Sequence, residues 1–352
     1  MGLPEIKIEF TGRAVTAIKR SALGIVALIL KDDTPSFTSK EYKDISELKA
    51  TDFTEQNLKY IEQTMMGTPS KIIVEIVAAD AENYNEALQR LASKKWNYLA
   101  IPGIVENDVM NIASWIKSKR ENDKKTFKAV LPKAEADHEG IINFTTEGIV
   151  VGEQTYTASQ YTARIAGILA GIPFTRSSTY YELNEVDRIT ESATPNEDID
   201  NGQLILINDG ENIKIGRGVN SLTTATLTKT EDFKKIKVLE AMDMIHDDIY
   251  ETFNKHYVGK MPNTYDNQVL FFTSVNAYFK GLTGDYILDP NFENKAGVDV
   301  NAQRLALEGI GTDTESWDDL KVKNMSFKSN VFAFARIKIV DAMEDLYFEI
   351  VI

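Results

Sequence analysis

Apolar and polar residues alternate one for one near both ends of the chain. At the start, Ile6, Ile8 and Phe10 fall on one face and Lys7 and Glu9 on the other, the period-2 pattern of a half-buried strand. Near the end, "VFAFARIKIV" (Val331–Val340) sets Val331, Ala333, Ala335, Ile337 and Ile339 on one face with Arg336 and Lys338 opposite. "LYFEIVI" then sets Leu346, Phe348, Ile350 and Ile352 on one face. With "DAMED" (Asp341–Asp345) read as a turn, residues 331–352 are predicted to be a β-hairpin arm. An apolar edge strand of this kind invites a partner. Residues 1–23 read as a second arm and its linker, because "TGRAVTAIKRSAL" (Thr11–Leu23) is small, basic and nearly aperiodic. Fully extended, that linker would reach on the order of 40 Å at about 3.3 Å per residue.

Between the arms the pattern changes. From Gly24 to Pro132, apolar runs ("GIVALILK", "KIIVEIVAA", "NYLAIPG", "TFKAVLP") alternate with amphipathic stretches ("TEQNLKYIEQTMM", "NYNEALQRLASKK", "NDVMNIASWIKSKR"). Continuous apolar strands alternating with helices predict a mostly parallel sheet covered on both faces, hence a mixed α/β fold. Residues 133–230 read as mixed α/β. Short antiparallel strands turn near Gly152, a helix carries the small residues Ala163, Ala166, Gly167, Ala170 and Gly171, and a hairpin turns at Asn208–Gly210. Residues 231–330 read as helical, with Leu239, Met242, Ile245, Ile249 and Phe253 recurring at helical spacing and a shorter helix ending at Gly309.

Composition removes several functions from this outline. With 53 acidic against 39 basic residues, the net charge of −14 repels phosphate backbones, so no nucleic-acid partner is expected. The short basic segments Lys117–Lys125 and Lys229–Lys237 are interrupted by acids and read as solvated helix faces. There is no cysteine, no signal-peptide pattern and no apolar run approaching the roughly 18 residues that span a bilayer, so a soluble cytoplasmic product that binds no membrane is expected. The three histidines, His138, His246 and His256, lack the spacing of a metal set or a triad. Gly216 and Gly218 follow a hairpin rather than precede a helix, which fits a bulge or close approach better than a phosphate loop. The acidic clusters Asn196–Gly202 and Asp289–Asp299 lack the order of a Ca²⁺ loop. No catalytic, cofactor-binding or metal-binding residue is therefore predicted.

The segments "PEIKIEFTGRAVTAIKRSALGIVALILKD", "NYLAIPG", "INFTTEGIVVGEQTYTASQYTARIAGILAGIP", "LINDGENIKIGRGVNSLTT", "EDFKKIKVLEAMDMIHDDI", "VGKMPNTYDNQ" and "DAMEDLYFEI" occur in this order along the whole chain. In them the sequence resembles contractile tail sheath proteins, in particular the short sheaths of phages, R-type bacteriocins and phage-like particles of Gram-positive bacteria. The resemblance implies a homo-oligomer of helically stacked rings around a tail tube, with baseplate and tail terminator proteins as further partners. It also implies assembly in the bacterial cytoplasm and a metastable extended state whose contraction drives the tube through an envelope. Arms in that family exchange strands between subunits, which here assigns the role to Ile6, Ile8, Phe10, Val331, Ala333, Ala335, Ile337, Ile339, Leu346, Phe348, Ile350 and Ile352. No cofactor is implied. Two other readings stand beside it: an α/β enzyme with its site at the strand C-termini, and a tube- or capsid-type assembly subunit.

Overall fold

The computed structural model describes residues 17–18 and 24–351; the strand expected at Ile6–Phe10, most of the expected linker and Ile352 lie outside the described residues. The chain forms two compact units. The first holds the described residues of 21–244 and 341–352, the second those of 1–20 and 245–340.

The first unit is built on a seven-stranded sheet. Its members are β1 (Ile25–Lys31), β2 (Ser39–Tyr42), β3 (Lys71–Val77), β4 (Tyr98–Ala100), β5 (Lys128–Pro132), β6 (Ile141–Phe144) and, after two short strands named below, β9 (Gln203–Leu204). They lie in the order β2-β3-β1-β4-β5-β6-β9, all parallel except β2, which joins the edge antiparallel to β3. Alternate residues of each strand enter opposite cores. Val26, Leu28 and Leu30 of β1 pack with α1 (Glu55–Met65) and α4 (Ala158–Gly171), while Ala27 and Ile29 pack with α2 (Asn85–Ala92) and α3 (Glu106–Glu121). Both faces are covered, as parallel strands require. The sheet continues past Pro132 through β6, and β2 was not foreseen, since "SKEY" carries only one strong strand former.

The small residues of α4 do what their size permits. A Cβ on Gly167 would sit 2.2 Å from the Thr64 carbonyl oxygen, and one on Gly171 would sit 1.7 Å from that of Gly67, so the end of α1 and α4 meet backbone to backbone. Thr64 Oγ1 completes the junction by donating to the Ala163 carbonyl at 3.2 Å. A capping box of Thr157 and Gln160 starts α4. Two antiparallel hairpins flank it, β7 (Ile149–Val151) with β8 (Gln154–Tyr156), turning at Gly152 with φ 57°, and β10 (Leu206–Asn208) with β11 (Ile213–Ile215), turning at Gly210. Between α4 and β9 runs the short α5 (Pro195–Asp200).

The second unit begins within α6 (Ile236–His256) and continues through α7 (Tyr265–Gly284), β12 (Lys295–Val298), α8 (Val300–Glu308), α9 (Asp319–Asn324) and β13 (Ala333–Arg336). Thr264 and Asp299 cap α7 and α8 by accepting from Asn267 N and Ala302 N. Phe253 and Tyr257 each meet Phe271 edge to face, with centroids 5.1 and 5.0 Å apart. β13 pairs antiparallel with β12, and these two strands form a sheet by themselves.

Candidate assembly surfaces

The expected C-terminal hairpin does not form within this chain. Residues 333–336 pair with Lys295–Val298 instead, and Ile339 bridges Leu288. "DAMED" is no turn but a docked segment. Glu344 Oε1 accepts from Ser177 Oγ at 2.9 Å and from Thr179 Oγ1 at 2.6 Å, Asp345 meets Arg217 Nη2 at 2.5 Å, and Asp341 accepts from Lys235 Nζ. Partners more than a hundred residues upstream thus override the local turn preference of two aspartates. The close approach expected at Gly218 belongs to the same place: a Cβ there would lie 2.3 Å from Ser178 Oγ, and its N–H donates to Thr179 Oγ1.

Beyond this anchor the described residues form no ladder. Leu346, Tyr347, Phe348, Ile350 and Val351 are 71–94% exposed, and residues 346–351 belong to no strand among the described residues. Of the other residues assigned to strand exchange, Ala333 and Ala335 are exposed, Val331, Ile337 and Ile339 are half-buried, and Ile6, Ile8, Phe10 and Ile352 lie outside the described residues. An isolated two-stranded sheet is marginal in water, and an apolar segment left uncovered is a liability. The structure therefore holds one incomplete sheet and one uncommitted apolar segment. Sequence reasoning missed β12, because "KAGV" has neither alternation nor β-branched density; its only foretelling would have been the need of β13 for a partner.

The charged groups that could suggest chemistry are committed to structure. Lys128, fully buried, sits 2.7 Å from Asp243 and 3.0 Å from Glu240, and Arg120 forks onto Asp243 at 3.0 and 3.1 Å. Burial opposes the charge of both Lys128 and Asp243, but their mutual attraction, aided by Glu240 and Arg120, outweighs it: the lysine is held above its ordinary pKa and the aspartate below. Arg120 and Lys229, read from sequence as solvated, are instead tied to Asp243 and Glu139, and Lys229–Lys237 is not one helix face but a single 3₁₀ turn leading into α6. His138 is buried beside Glu139; burial pushes it down to about 4, so it is neutral at pH 7. This network lies at the amino ends of β4 and β5, whereas ligands of open α/β sheets sit beyond the carboxyl ends.

At the carboxyl end of β1, Asp32 is the candidate an enzyme reading would choose. Its carboxylate accepts from Thr34 N, Thr54 N, Thr54 Oγ1 and Asn57 Nδ2, all within 3.1 Å. Burial works against its charge, but those donors hold it down to about 2, which suits a loop clamp and not an acid–base group. Among the described residues no group of three or more His, Asp or Glu side chains could hold a metal ion, and no helix is long and apolar enough to cross a membrane.

Residues 78–221 match the phage tail sheath protein central domain, and residues 228–352 match the phage tail sheath C-terminal domain. The tail sheath protein of Clostridium phage phiCD119 is 38% identical over 98% of both chains. The chain belongs to the phage tail sheath family. It is a structural sheath protomer, and its mixed α/β fold is that of solved family members. The sheath tail protein of Desulfitobacterium hafniense superposes with a TM-score of 0.71 at 17% identity, over 84% of this chain and 94% of that one. A chain of the anti-feeding prophage baseplate in its contracted state superposes with a TM-score of 0.68 at 9% identity, over all of this chain and 98% of that one.

Proposed function

We propose that this sheath protomer polymerises by strand exchange into helically stacked rings around a tail tube and contracts as a lattice, without a bond-making step. The observation that carries the reading is the run Leu346–Val351, which among the described residues is exposed and outside any strand, beside a two-stranded sheet whose edge is unpaired among the same residues. Adding a strand to a sheet gains ladder hydrogen bonds and buries side chains at about 1.5–3 kcal/mol for each large aliphatic residue. A head-to-tail contact of this kind does not close on itself and so builds a helix. The anchor at Glu344 keeps each arm attached to its own body while it engages a neighbour. A structural neighbour in a contracted baseplate supports contraction, with a tube protein, a baseplate and a terminator as the remaining partners. Assembly takes place in the bacterial cytoplasm.

Deleting residues 346–352 tests the proposal. The truncated protein is expected to keep the circular dichroism and melting temperature of the intact protomer while forming no tubes in negative stain. Normal tubes from the truncated protein would refute strand exchange.

A further inference from the structure

Between the end of α6, the start of α7 and residues 328–331 lies a pocket of about 460 Å³, wholly within the second unit. Phe253, Tyr257, Val258, Met261 and Phe271 line it, and Lys328 stands on its rim. Its frame is pinned. Asn263 donates through Nδ2 to the Lys328 and Asn330 carbonyls at 3.0 and 2.9 Å, so its Oδ1 is the atom that accepts from Gln268 Nε2 at 2.8 Å. That fixes which end of the Gln268 amide is oxygen. Gln268 also lines the pocket; it is only 3% exposed, and its Oε1 has no hydrogen-bond partner among the described residues. A buried carbonyl oxygen left unpaired costs stability, so this apolar pocket is short of one donor.

The first unit carries a projection with the opposite deficiency. Residues 223–228 are exposed without a break, and Leu227 near their end is fully exposed. The projection is braced. Asp137 accepts from Thr223 N, Thr223 Oγ1 and Thr224 N at 2.7–3.1 Å, and Glu139 accepts from Lys229 Nζ at 2.9 Å. The tip closes on itself: Thr226 N donates to the Lys229 carbonyl at 2.8 Å, and Lys229 N donates to Thr226 Oγ1 at 3.0 Å. The N–H groups of Leu227 and Thr228 meet no partner among the described residues. An exposed leucine alone is ordinary; one raised on a braced turn beside two idle donors is not.

We propose that Leu227 of one copy enters this pocket on a second copy, its turn supplying the donor that Gln268 lacks, as a body-to-body contact separate from strand exchange. Charge favours this occupant. Lys328 is exposed on the rim without an ion pair among the described residues. At the foot of the projection Lys229 and Glu231 are already paired, whereas Asp232 is exposed and has no ion pair among the same residues. Met343, equally exposed, suits the pocket less. It rises from a segment docked through Asp341 and Glu344, with half-buried neighbours on either side, and so offers a side chain without a projecting backbone. Placed head to tail, knob and hole add one contact at every step of a helical polymer.

Because the chain has no cysteine, the contact is readable by cross-linking. Full-length protein carrying Leu227→Cys and Val258→Cys, assembled and treated with a short bismaleimide, is expected to give a ladder of covalent oligomers on a denaturing gel, with neither single variant doing so. Leu227→Asp, at a position fully exposed in the protomer, should leave the melting temperature unchanged. It should raise the protomer concentration needed for tubes by roughly ten- to a hundredfold, the value of burying one leucine side chain. Four results would overturn the assignment: no ladder in assembled tubes, cross-linking only within single chains, a ladder from Met343→Cys with Val258→Cys, or tubes from Leu227→Asp at the unaltered protein's concentration. If the double cysteine variant does not assemble, charge exchange decides. Asp232→Lys should weaken assembly, and Asp232→Lys with Lys328→Asp should restore it; no recovery counts against the contact. All of these outcomes leave strand exchange standing, whereas tubes built without residues 346–352 sink strand exchange itself.

Discussion

The two sheets of this protein are built to opposite specifications. The seven-stranded sheet is buried on both faces, two of the helices that cover it meet each other at backbone distance, and even its charges are paired inside. Among the described residues, the two-stranded sheet keeps β13 exposed along its length and one edge unpaired. A protein that wanted only to be stable would have hidden that edge. The difference assigns stability to the first sheet and assembly to the second, and substitutions in the two should separate along that line.

The largest effect is expected at Lys128→Ala, which strips the shared cation from buried Asp243 and Glu240 and should cost about 3–5 kcal/mol in a denaturant melt. Gly167→Ala comes next. Its methyl would press on the Thr64 carbonyl, a backbone atom that cannot step aside, for a loss of about 2–3 kcal/mol in the same measurement. The third effect follows from His138, whose pKa is depressed to about 4 by burial and which is faced by Glu139, Glu121, Arg120, Lys117 and Lys229. A depressed histidine leaves the folded state with fewer protons than the unfolded one. Its contribution is therefore whole above about pH 6.5 and drains away as pH falls toward 4, by about 1 kcal/mol per unit. His138→Gln should flatten that slope. The smallest effect on the protomer is expected at Ala335→Lys on the open edge. Its melting free energy should change by less than about 0.5 kcal/mol, yet tube formation should stop. A protomer destabilised by several kcal/mol there would erase the contrast between the sheets.

How legible each sheet was in the sequence follows from the same contrast. Strands β1, β3, β4 and β5 were readable because burial on both faces demands unbroken apolar runs, and α1 to α4 because their buried stripes keep helical spacing. The small residues of α4 announced a close approach, though not that Gly67 would be the surface met. β2 and β12 were not readable, since an edge strand of four residues takes its place from its neighbour rather than from its own pattern. The alternation at Val331–Val340 announced a strand but not its partner, and "DAMED" read as a turn because nothing local reveals that Ser177, Thr179, Arg217 and Lys235 would hold it. Asn276, whose side-chain amide donates to the Ala296 carbonyl and accepts from its N–H, likewise acts on a strand twenty positions away and is of an unremarkable type.

Hydrogen–deuterium exchange, followed on the purified protomer and on assembled tubes, tests the central claim most directly. The account predicts that amides of residues 346–351 and of Ala333, Ala335, Ile337 and Ile339 exchange freely in the protomer and become protected together in the tube, while β1 and β3 are protected in both. Equal exchange of the arm in the two states would contradict it.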